Sequence, residues 1–104
     1  MADWAKLVDL KDIGEGMTAV TLDGRGYVVA VIEDEYVCFD ALCPHRQASL
    51  IDGFLEENVV TCPLHGWRFD LQSKGKEIHG YRSLRTYETR VENGTILIKM
   101  ENDL

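Results

Sequence analysis

The sequence predicts an all-β protein, a small antiparallel β-sandwich or barrel, and three observations carry this prediction. Short runs rich in Val, Ile, Thr and Tyr recur along the 104 residues, as half-buried pleated surfaces favour. No segment keeps a helical period of apolar residues beyond a turn or two. The two prolines are Pro44 and Pro63, so the rest of the chain is free to pair as sheet.

The elements follow in order from these runs and from the turn residues between them. Residues 9–13 are predicted to form one helical turn, which Gly14 and Gly16 separate from the first strand. Glu33-Asp34 suggests a hairpin, and Asn93-Gly94 is the stronger turn signal because both residues accept positive φ in a type I′ turn. The predicted strands are residues 17–22, 27–32, 36–40, 58–61, 67–70, 86–92 and 95–100.

The length fits one domain spanning residues 1–104, near the size at which an added crosslink helps stability. Residues 41–80 contain fewer strand signals than their neighbours. We expect them to form a loop-rich subdomain, inserted between the strands of residues 27–40 and those of residues 86–100. The sequence contains no internal repeat, low-complexity tract or linker.

Composition excludes several classes of function. Eighteen acidic against eleven basic residues give a net charge of −7, which disfavours binding to nucleic acid or anionic lipid. No apolar run approaches the length of a membrane span, and the first residues lack the features of a signal peptide. Three cysteines, two of them in a metal-binding pattern, argue against a disulfide framework. We expect a cytoplasmic protein that binds neither nucleic acid nor membranes.

One pattern carries the chemistry: Cys43-Pro44-His45, then sixteen residues, then Cys62-Pro63-Leu64-His65. Each segment supplies one thiolate and one imidazole at ligand spacing. Two cysteines on one iron and two histidines on the other suit a two-iron cluster. A mononuclear zinc site also accepts two cysteines and two histidines, although in zinc fingers one cysteine is usually close to the other in sequence, and one histidine to the other. Here each segment contains one cysteine and one histidine, which favours the cluster over a structural zinc domain.

The residues around these ligands extend the pattern, which resembles the Rieske ferredoxins of multicomponent oxygenases. The resemblance rests on Cys43-Pro44-His45-Arg46 with Leu50, on residues 62–70 and on Gly75-Lys76, and residues 7–13 and 91–96 extend it over almost the whole chain. It implies the Rieske fold and one [2Fe-2S] cluster. It also implies that Cys43 and Cys62 ligate the inner iron, and His45 and His65 the outer, more exposed iron.

Three positions differ from the Rieske proteins of quinol-oxidising respiratory complexes. Ala48 and Leu64 stand where those proteins have a disulfide, and Trp67 where they have a serine that donates to a cluster sulfur. Fewer hydrogen bonds to sulfur lower the potential, so we expect about −150 mV. It should fall with rising pH as ligand imidazoles lose their outer protons. Residues 75–84 form the third loop near the cluster, and they contain His79-Gly80-Tyr81 and no Gly-Pro. The sequence therefore does not predict the conformation of this loop.

The resemblance implies a one-electron carrier and no enzymatic activity of its own. Such a carrier accepts electrons from a flavin-containing, NAD(P)H-dependent reductase and delivers them to a terminal ring-hydroxylating oxygenase. Docking would be transient and would use the tip formed by His45 and His65, with the carrier a monomer. Two alternatives stay open: a Rieske-like small subunit of a nitrite reductase-type complex, and the structural zinc domain.

Other residues have a functional and a structural interpretation. Arg46 and Gln47 are either docking contacts or solvated surface, and Trp67 either shields the cluster or packs its loop against the barrel. Cys38 is predicted to be a small core residue on a strand, and His79 a surface loop residue.

Overall fold

The computed structural model describes residues 3–44, 48–64, 66–79 and 82–100. Within these ranges the protein is all-β, as predicted, with three antiparallel sheets and three short 3-10 turns. None of its helices is long and apolar enough to cross a membrane, in the part of the chain that the structure describes.

The first sheet pairs the first and last strands of the described chain. Its strands are β1 (Asp3–Asp9), β10 (Thr89–Glu92) and β11 (Thr95–Met100), in the order β1-β11-β10. Strand β1 was not predicted, because charged residues interrupt its alternation and its register on β11 shifts between Lys6 and Val8. The helical turn predicted at residues 9–13 is the 3-10 turn Leu10–Asp12.

The second sheet is a meander of tight hairpins. It contains β2 (Met17–Leu22), β3 (Arg25–Ile32), β4 (Glu35–Asp40) and β9 (Thr86–Tyr87), in that order. The predicted hairpin at Glu33-Asp34 is present, with φ of 49° and 65° at its two central residues. The single strand predicted at residues 86–92 is wrong: β9 pairs with β4, whereas β10 pairs with β11. The chain changes sheets at Glu88, which local sequence pattern does not encode.

The third sheet lies between β4 and β9 in the sequence. It contains β5 (Phe54–Glu56), β6 (Val59–Thr61), β7 (Arg68–Asp70) and β8 (Lys76–Glu77), paired in chain order. Two 3-10 turns, Leu50–Asp52 and Leu71–Ser73, flank β5 and β7. Strands β5 and β8 were not predicted, so residues 41–80 contain more regular structure than the sequence indicates.

Two clusters of buried side chains form the core. The loop core lies with the third sheet and includes Cys43, Leu50, Cys62, Phe69 and Leu84. The sheet core lies with the first two sheets and includes Tyr27, Val29, Cys38, Ile96 and Ile98. Strand β3 supplies both cores, since Val28 and Ala30 belong to the loop core while Tyr27 and Val29 belong to the sheet core. Cys38 is a core residue, as predicted.

Candidate metal centre

The first loop, residues 43–48, begins at Cys43, three residues after the end of β4. Leu42 and Ser49 pair across its base as an antiparallel bridge. The backbone N–H of Cys43 donates to the carbonyl oxygen of Ala48 at 2.9 Å. The Cys43 side chain is buried in the loop core, to which Leu50 also belongs.

The second loop, residues 62–67, joins β6 to β7 and begins at Cys62. Thr61 and Arg68 pair across its base. The backbone N–H of Cys62 donates to the carbonyl oxygen of Trp67 at 2.7 Å. Gly66 has φ of 69°, a left-handed conformation that glycine adopts without the steric cost borne by other residues.

The two loops are closed in the same way. Each spans six residues, starts with Cys-Pro, and has a paired residue on either side of its base. In each, the cysteine N–H donates to the carbonyl five residues on. The cysteines therefore occupy equivalent positions in two equivalent hairpins. The sequence does not show this equivalence, because the spacing from cysteine to histidine is one residue longer in the second loop than in the first.

The two loops bring their cysteine thiols together. Both thiols are free and buried in the same loop core, and they are close enough to interact. Burial raises the pKa of Cys62, and the neighbouring Cys43 thiol raises it further, while the backbone N–H of Leu64 acts in the opposite direction. Two thiolates in one apolar pocket repel each other and are poorly solvated unless a cation shares them. The pair therefore fits the two thiolate ligands of one iron.

Close backbone contacts set the positions of the loops. A Cβ atom on Gly53 would lie 2.0 Å from the carbonyl oxygen of Thr61 and 3.2 Å from Cδ of Pro63. Only glycine fits at this contact, which places the 3-10 turn Leu50–Asp52 directly against the base of the second loop. Gly75, with φ of 76°, makes a similar contact: its Cβ would lie 2.2 Å from the carbonyl oxygen of Leu84.

The third segment, residues 75–84, forms hydrogen bonds with both loops. Its ends are joined by the N–H of Leu84, which donates to the carbonyl of Gly75 at 2.8 Å. The N–H of Ile78 donates to the carbonyl of Arg68 at the base of the second loop. Nη1 of Arg82 donates to the carbonyl of Pro44 in the first loop at 3.1 Å. These hydrogen bonds describe the conformation of the third segment, which the sequence did not predict. Gly80 and Tyr81 lie outside the described residues.

Within the third segment, Glu77 is a buried carboxylate, 3% exposed. Its Oε1 accepts a hydrogen bond from the backbone N–H of His79 at 2.8 Å. Because β8 pairs Glu77 with Phe69 of β7, this bond shapes the segment where it leaves the third sheet. No sequence signal distinguished Glu77, Arg82 or Gly53 as residues that shape the site.

The structure brings Cys43 and Cys62 together. His45, His65, Arg46 and Gln47 lie outside the described residues. Trp67 is half-buried and packs against the loop core, which agrees with the interpretation of Trp67 as a packing residue. His79 is exposed on the third segment.

Comparison with known proteins agrees with this arrangement. The family model described as the Rieske [2Fe-2S] domain matches residues 3–88. The ferredoxin component of the naphthalene 1,2-dioxygenase/salicylate 5-hydroxylase systems of a Ralstonia species is 35% identical over 95% of the chain and 97% of its own length.

Two solved structures have the same fold. The ferredoxin of Sphingomonas yanoikuyae B1 covers 95% of the chain and 100% of its own, with a TM-score of 0.83 and 25% identity. A chain in the complex of reduced oxygenase and oxidized ferredoxin in carbazole 1,9a-dioxygenase also matches. The match covers 97% of the chain described here and 96% of that chain, with a TM-score of 0.81 and 26% identity. The chain thus belongs to the Rieske [2Fe-2S] domain family, and its cofactor is one Rieske-type [2Fe-2S] cluster.

Proposed function

We propose that the protein is a one-electron carrier that reduces the terminal oxygenase of an aromatic-ring dioxygenase system. The observation that carries the proposal is the pair of equivalent loops, which meet at two buried, adjacent cysteine thiols. Relatives of the same length support it, because they are named as ferredoxin components of dioxygenase systems.

In this proposal Cys43 and Cys62 ligate one iron, and His45 and His65 ligate the other. When bound, a Rieske cluster supplies a one-electron couple. The chain's own residues bury the thiolates and exclude water from them, since Cys43 and Cys62 lie in the loop core. The third segment steadies the loops from the side, through the hydrogen bonds of Ile78 and Arg82.

The residues beside the ligands favour a low reduction potential. Trp67 contributes its carbonyl to closing the second loop and has no hydroxyl to donate to a cluster sulfur. Ala48 and Leu64 cannot form a disulfide between the two loops. A potential of about −150 mV, at the low end of the Rieske range, suits an electron that comes from NAD(P)H through a flavin.

The partners follow from the same proposal. A ferredoxin with the same fold is found in complex with the oxygenase of carbazole 1,9a-dioxygenase, which supports an oxygenase as the acceptor. An NAD(P)H-dependent flavin reductase is the proposed donor, and the carrier itself a cytoplasmic monomer without enzymatic activity. Both complexes should be short-lived, with small and salt-sensitive interfaces. No specific observation favours the nitrite reductase subunit or the zinc domain.

The proposal is tested with purified protein whose cluster has been assembled anaerobically. We expect two irons and two sulfides per chain, and reduction of an aromatic-ring oxygenase by the pre-reduced protein. The acceptors are the oxygenase encoded nearest to its gene and that of naphthalene 1,2-dioxygenase. Colourless protein with one bound zinc, or a loaded protein that reduces neither oxygenase, would overturn it.

A further inference from the structure

One face of the third sheet carries a row of side chains that crosses all four strands. From β5 to β8 the residues in register are Leu55, Val60, Phe69 and Glu77. Directly paired residues of an antiparallel sheet point to the same face, so these four side chains form one row. Val60 and Phe69 are fully buried in the loop core, and Leu55 packs against it. The row therefore faces the core that contains both candidate ligand cysteines.

Glu77 is the charged member of this otherwise apolar row. Its side chain is 3% exposed, whereas the neighbouring Lys76 is exposed and pairs with Asp70 on the other face. A buried carboxylate costs folding free energy unless hydrogen bonds replace its hydration. An apolar side chain would suit the packing of the core better. The carboxylate at this position therefore indicates a role beyond packing.

Two hydrogen bonds show the direction in which the carboxylate points. The N–H of Ile78 donates to the carbonyl of Arg68 at 2.9 Å, so the chain continues beside β7 toward the base of the second loop. Oε1 of Glu77 accepts from the N–H of His79 at 2.8 Å. The side chain thus leans toward the second loop. It binds backbone that has already left β8.

The third segment depends on such single bonds for its position. Between β8 and β9 the described residues form no helix or strand, and residues 75–84 contain no proline to fix φ. At the far end, the N–H of Leu84 donates to the carbonyl of Gly75, and Arg82 donates to the carbonyl of Pro44 in the first loop. At the near end, the Glu77 carboxylate holds the backbone where it leaves the sheet.

We propose that Glu77 is a positioning residue of the cluster site. As a hydrogen-bond acceptor for the N–H of His79, its carboxylate holds the third segment against both loops. The inference rests on the cluster of the proposed function and names a residue outside its ligand set. A loosened segment would release the Arg82 contact to the first loop and the Ile78 contact to the second. The cluster would then be lost more readily, because these two loops supply its ligands.

Two substitutions separate the acceptor from the volume and the charge of the side chain. Glu77→Leu completes the apolar row and removes the acceptor without opening a large cavity. Glu77→Gln has nearly the same shape and no charge, and it keeps a carbonyl oxygen that can accept from His79. Glu56→Leu is the matched control, because Glu56 lies on β5 of the same sheet and is exposed. The wild type and the three variants are compared with the cluster assembled.

The first measurement is the rate of cluster loss in excess chelator, followed by the bleaching of visible absorbance. We expect Glu77→Leu to lose its cluster about fivefold faster than the wild type or more, the effect of one net hydrogen bond. Glu77→Gln and Glu56→Leu should stay within about twofold of the wild type, because both keep the acceptor.

The second measurement is hydrogen exchange of the loaded protein, read in peptides from residues 78–84 and from β1 and β11. We expect Glu77→Leu to speed exchange in residues 78–84 about fivefold or more. Exchange in β1 and β11 should stay as in the wild type, because these strands belong to the first sheet. This regional pattern separates a loosened segment from a destabilised fold, which would speed exchange in all of them.

Wild-type cluster loss and exchange in Glu77→Leu would overturn the inference. So would a Glu77→Gln variant that behaves like Glu77→Leu, because the effect would then belong to the charge. If Glu77→Leu assembles no cluster, Glu77→Gln decides: wild-type retention supports the acceptor role, and rapid loss contradicts it. Failure of the proposed function is distinguishable, because both measurements need the cluster and neither needs an oxygenase or a reductase.

Discussion

At the scale of single residues, Cys38, Cys43 and Cys62 are all buried and all carry free thiols, yet they belong to two different cores. Cys38 packs in the sheet core, where burial, assisted by the charge of Asp40, raises its pKa to about 12. It therefore remains a protonated and unreactive thiol at physiological pH. Cys43 and Cys62 lie close together in the loop core, and this proximity makes them candidate ligands.

We expect Cys43→Ser and Cys62→Ser each to abolish cluster assembly, because the inner iron loses a thiolate. Metal binding contributes to folding free energy, so both variants should also unfold more readily. Cys38→Ala is the control: it should assemble a normal cluster and cost only about 1 kcal/mol through its small cavity. Iron content and visible absorbance are the measurements, and loss of the cluster in Cys38→Ala would contradict the assignment.

Asp70 holds the turn that follows β7. One of its oxygens accepts hydrogen bonds from Nδ2 of Asn58 at 2.6 Å and from the N–H of Gln72 at 3.0 Å, and the other from the Ser73 hydroxyl. The Asn58 bond is the main cause of a lowered pKa for Asp70. Since the folded protein favours the charged form, this stabilisation is present above the unfolded pKa of about 3.9. It is lost as the pH falls through the lower pKa of the folded state.

We expect Asp70→Ala to lower the free energy of unfolding at pH 7 by about 1–2 kcal/mol, the usual cost of charged hydrogen bonds. At pH 3 the difference from the wild type should be smaller, because the native carboxyl is closer to protonation. Guanidinium unfolding followed by tryptophan fluorescence at both pH values measures this. A difference as large at pH 3 as at pH 7 would contradict the role of the charged form.

At the scale of elements, the equivalence of the two loops depends on contacts between distant residues. The bridge from Leu42 to Ser49 and the pair of Thr61 and Arg68 close both hairpins, and Gly53 places one turn against the second loop. Sequence pattern predicted the cysteines as ligands from their neighbours. It could not predict the equal loop lengths, because cross-strand pairing sets them.

We expect Gly53→Ala to lower the free energy of unfolding by about 3 kcal/mol or to prevent cluster assembly. Its Cβ would collide with the Thr61 carbonyl, a backbone atom that cannot move without shifting the second loop. Gly14→Ala is the control, since the nearest atom to its Cβ would be 3.9 Å away. If both variants have the same stability and cluster content, the close contact does not set the loop.

The strands show where local pattern suffices. Residues 17–22 and 95–100 were predicted with the observed bounds, because both runs are rich in strand-forming residues and Asn93-Gly94 marks a turn before the second. Strands β5 and β8 have three and two residues, too few for a period to show. The break between β9 and β10 depends on which sheet each half joins, with Thr89 Oγ1 donating to the Tyr36 carbonyl at the crossing.

At the scale of the whole molecule, two cores share β3 but differ in what stabilises them. The sheet core consists of ordinary side chains held by long strand pairs. The loop core includes both candidate ligand cysteines, and its sheet has strands of only two or three residues. We therefore propose that residues 41–80 form a subdomain whose order depends on the bound cluster.

Removal of the cluster should loosen one half of the molecule. After treatment with chelator and reductant, we expect backbone amides of residues 54–77 to exchange much faster, while those of β2, β3 and β11 keep most of their protection. Hydrogen exchange with mass spectrometry on the loaded and cluster-free protein measures this. A uniform loss of protection would show instead that the two cores unfold as one unit.

A cluster with mixed Cys/His ligands is expected to transfer electrons at low potential. A redox titration of the loaded protein, followed by EPR, measures this potential. We expect a Rieske-type signal with a midpoint of about −150 mV, because two neutral imidazoles replace thiolates and no hydroxyl stands at Trp67. A midpoint near −400 mV would indicate ligation by cysteines alone and would contradict the account, as would one near +300 mV, typical of respiratory Rieske proteins.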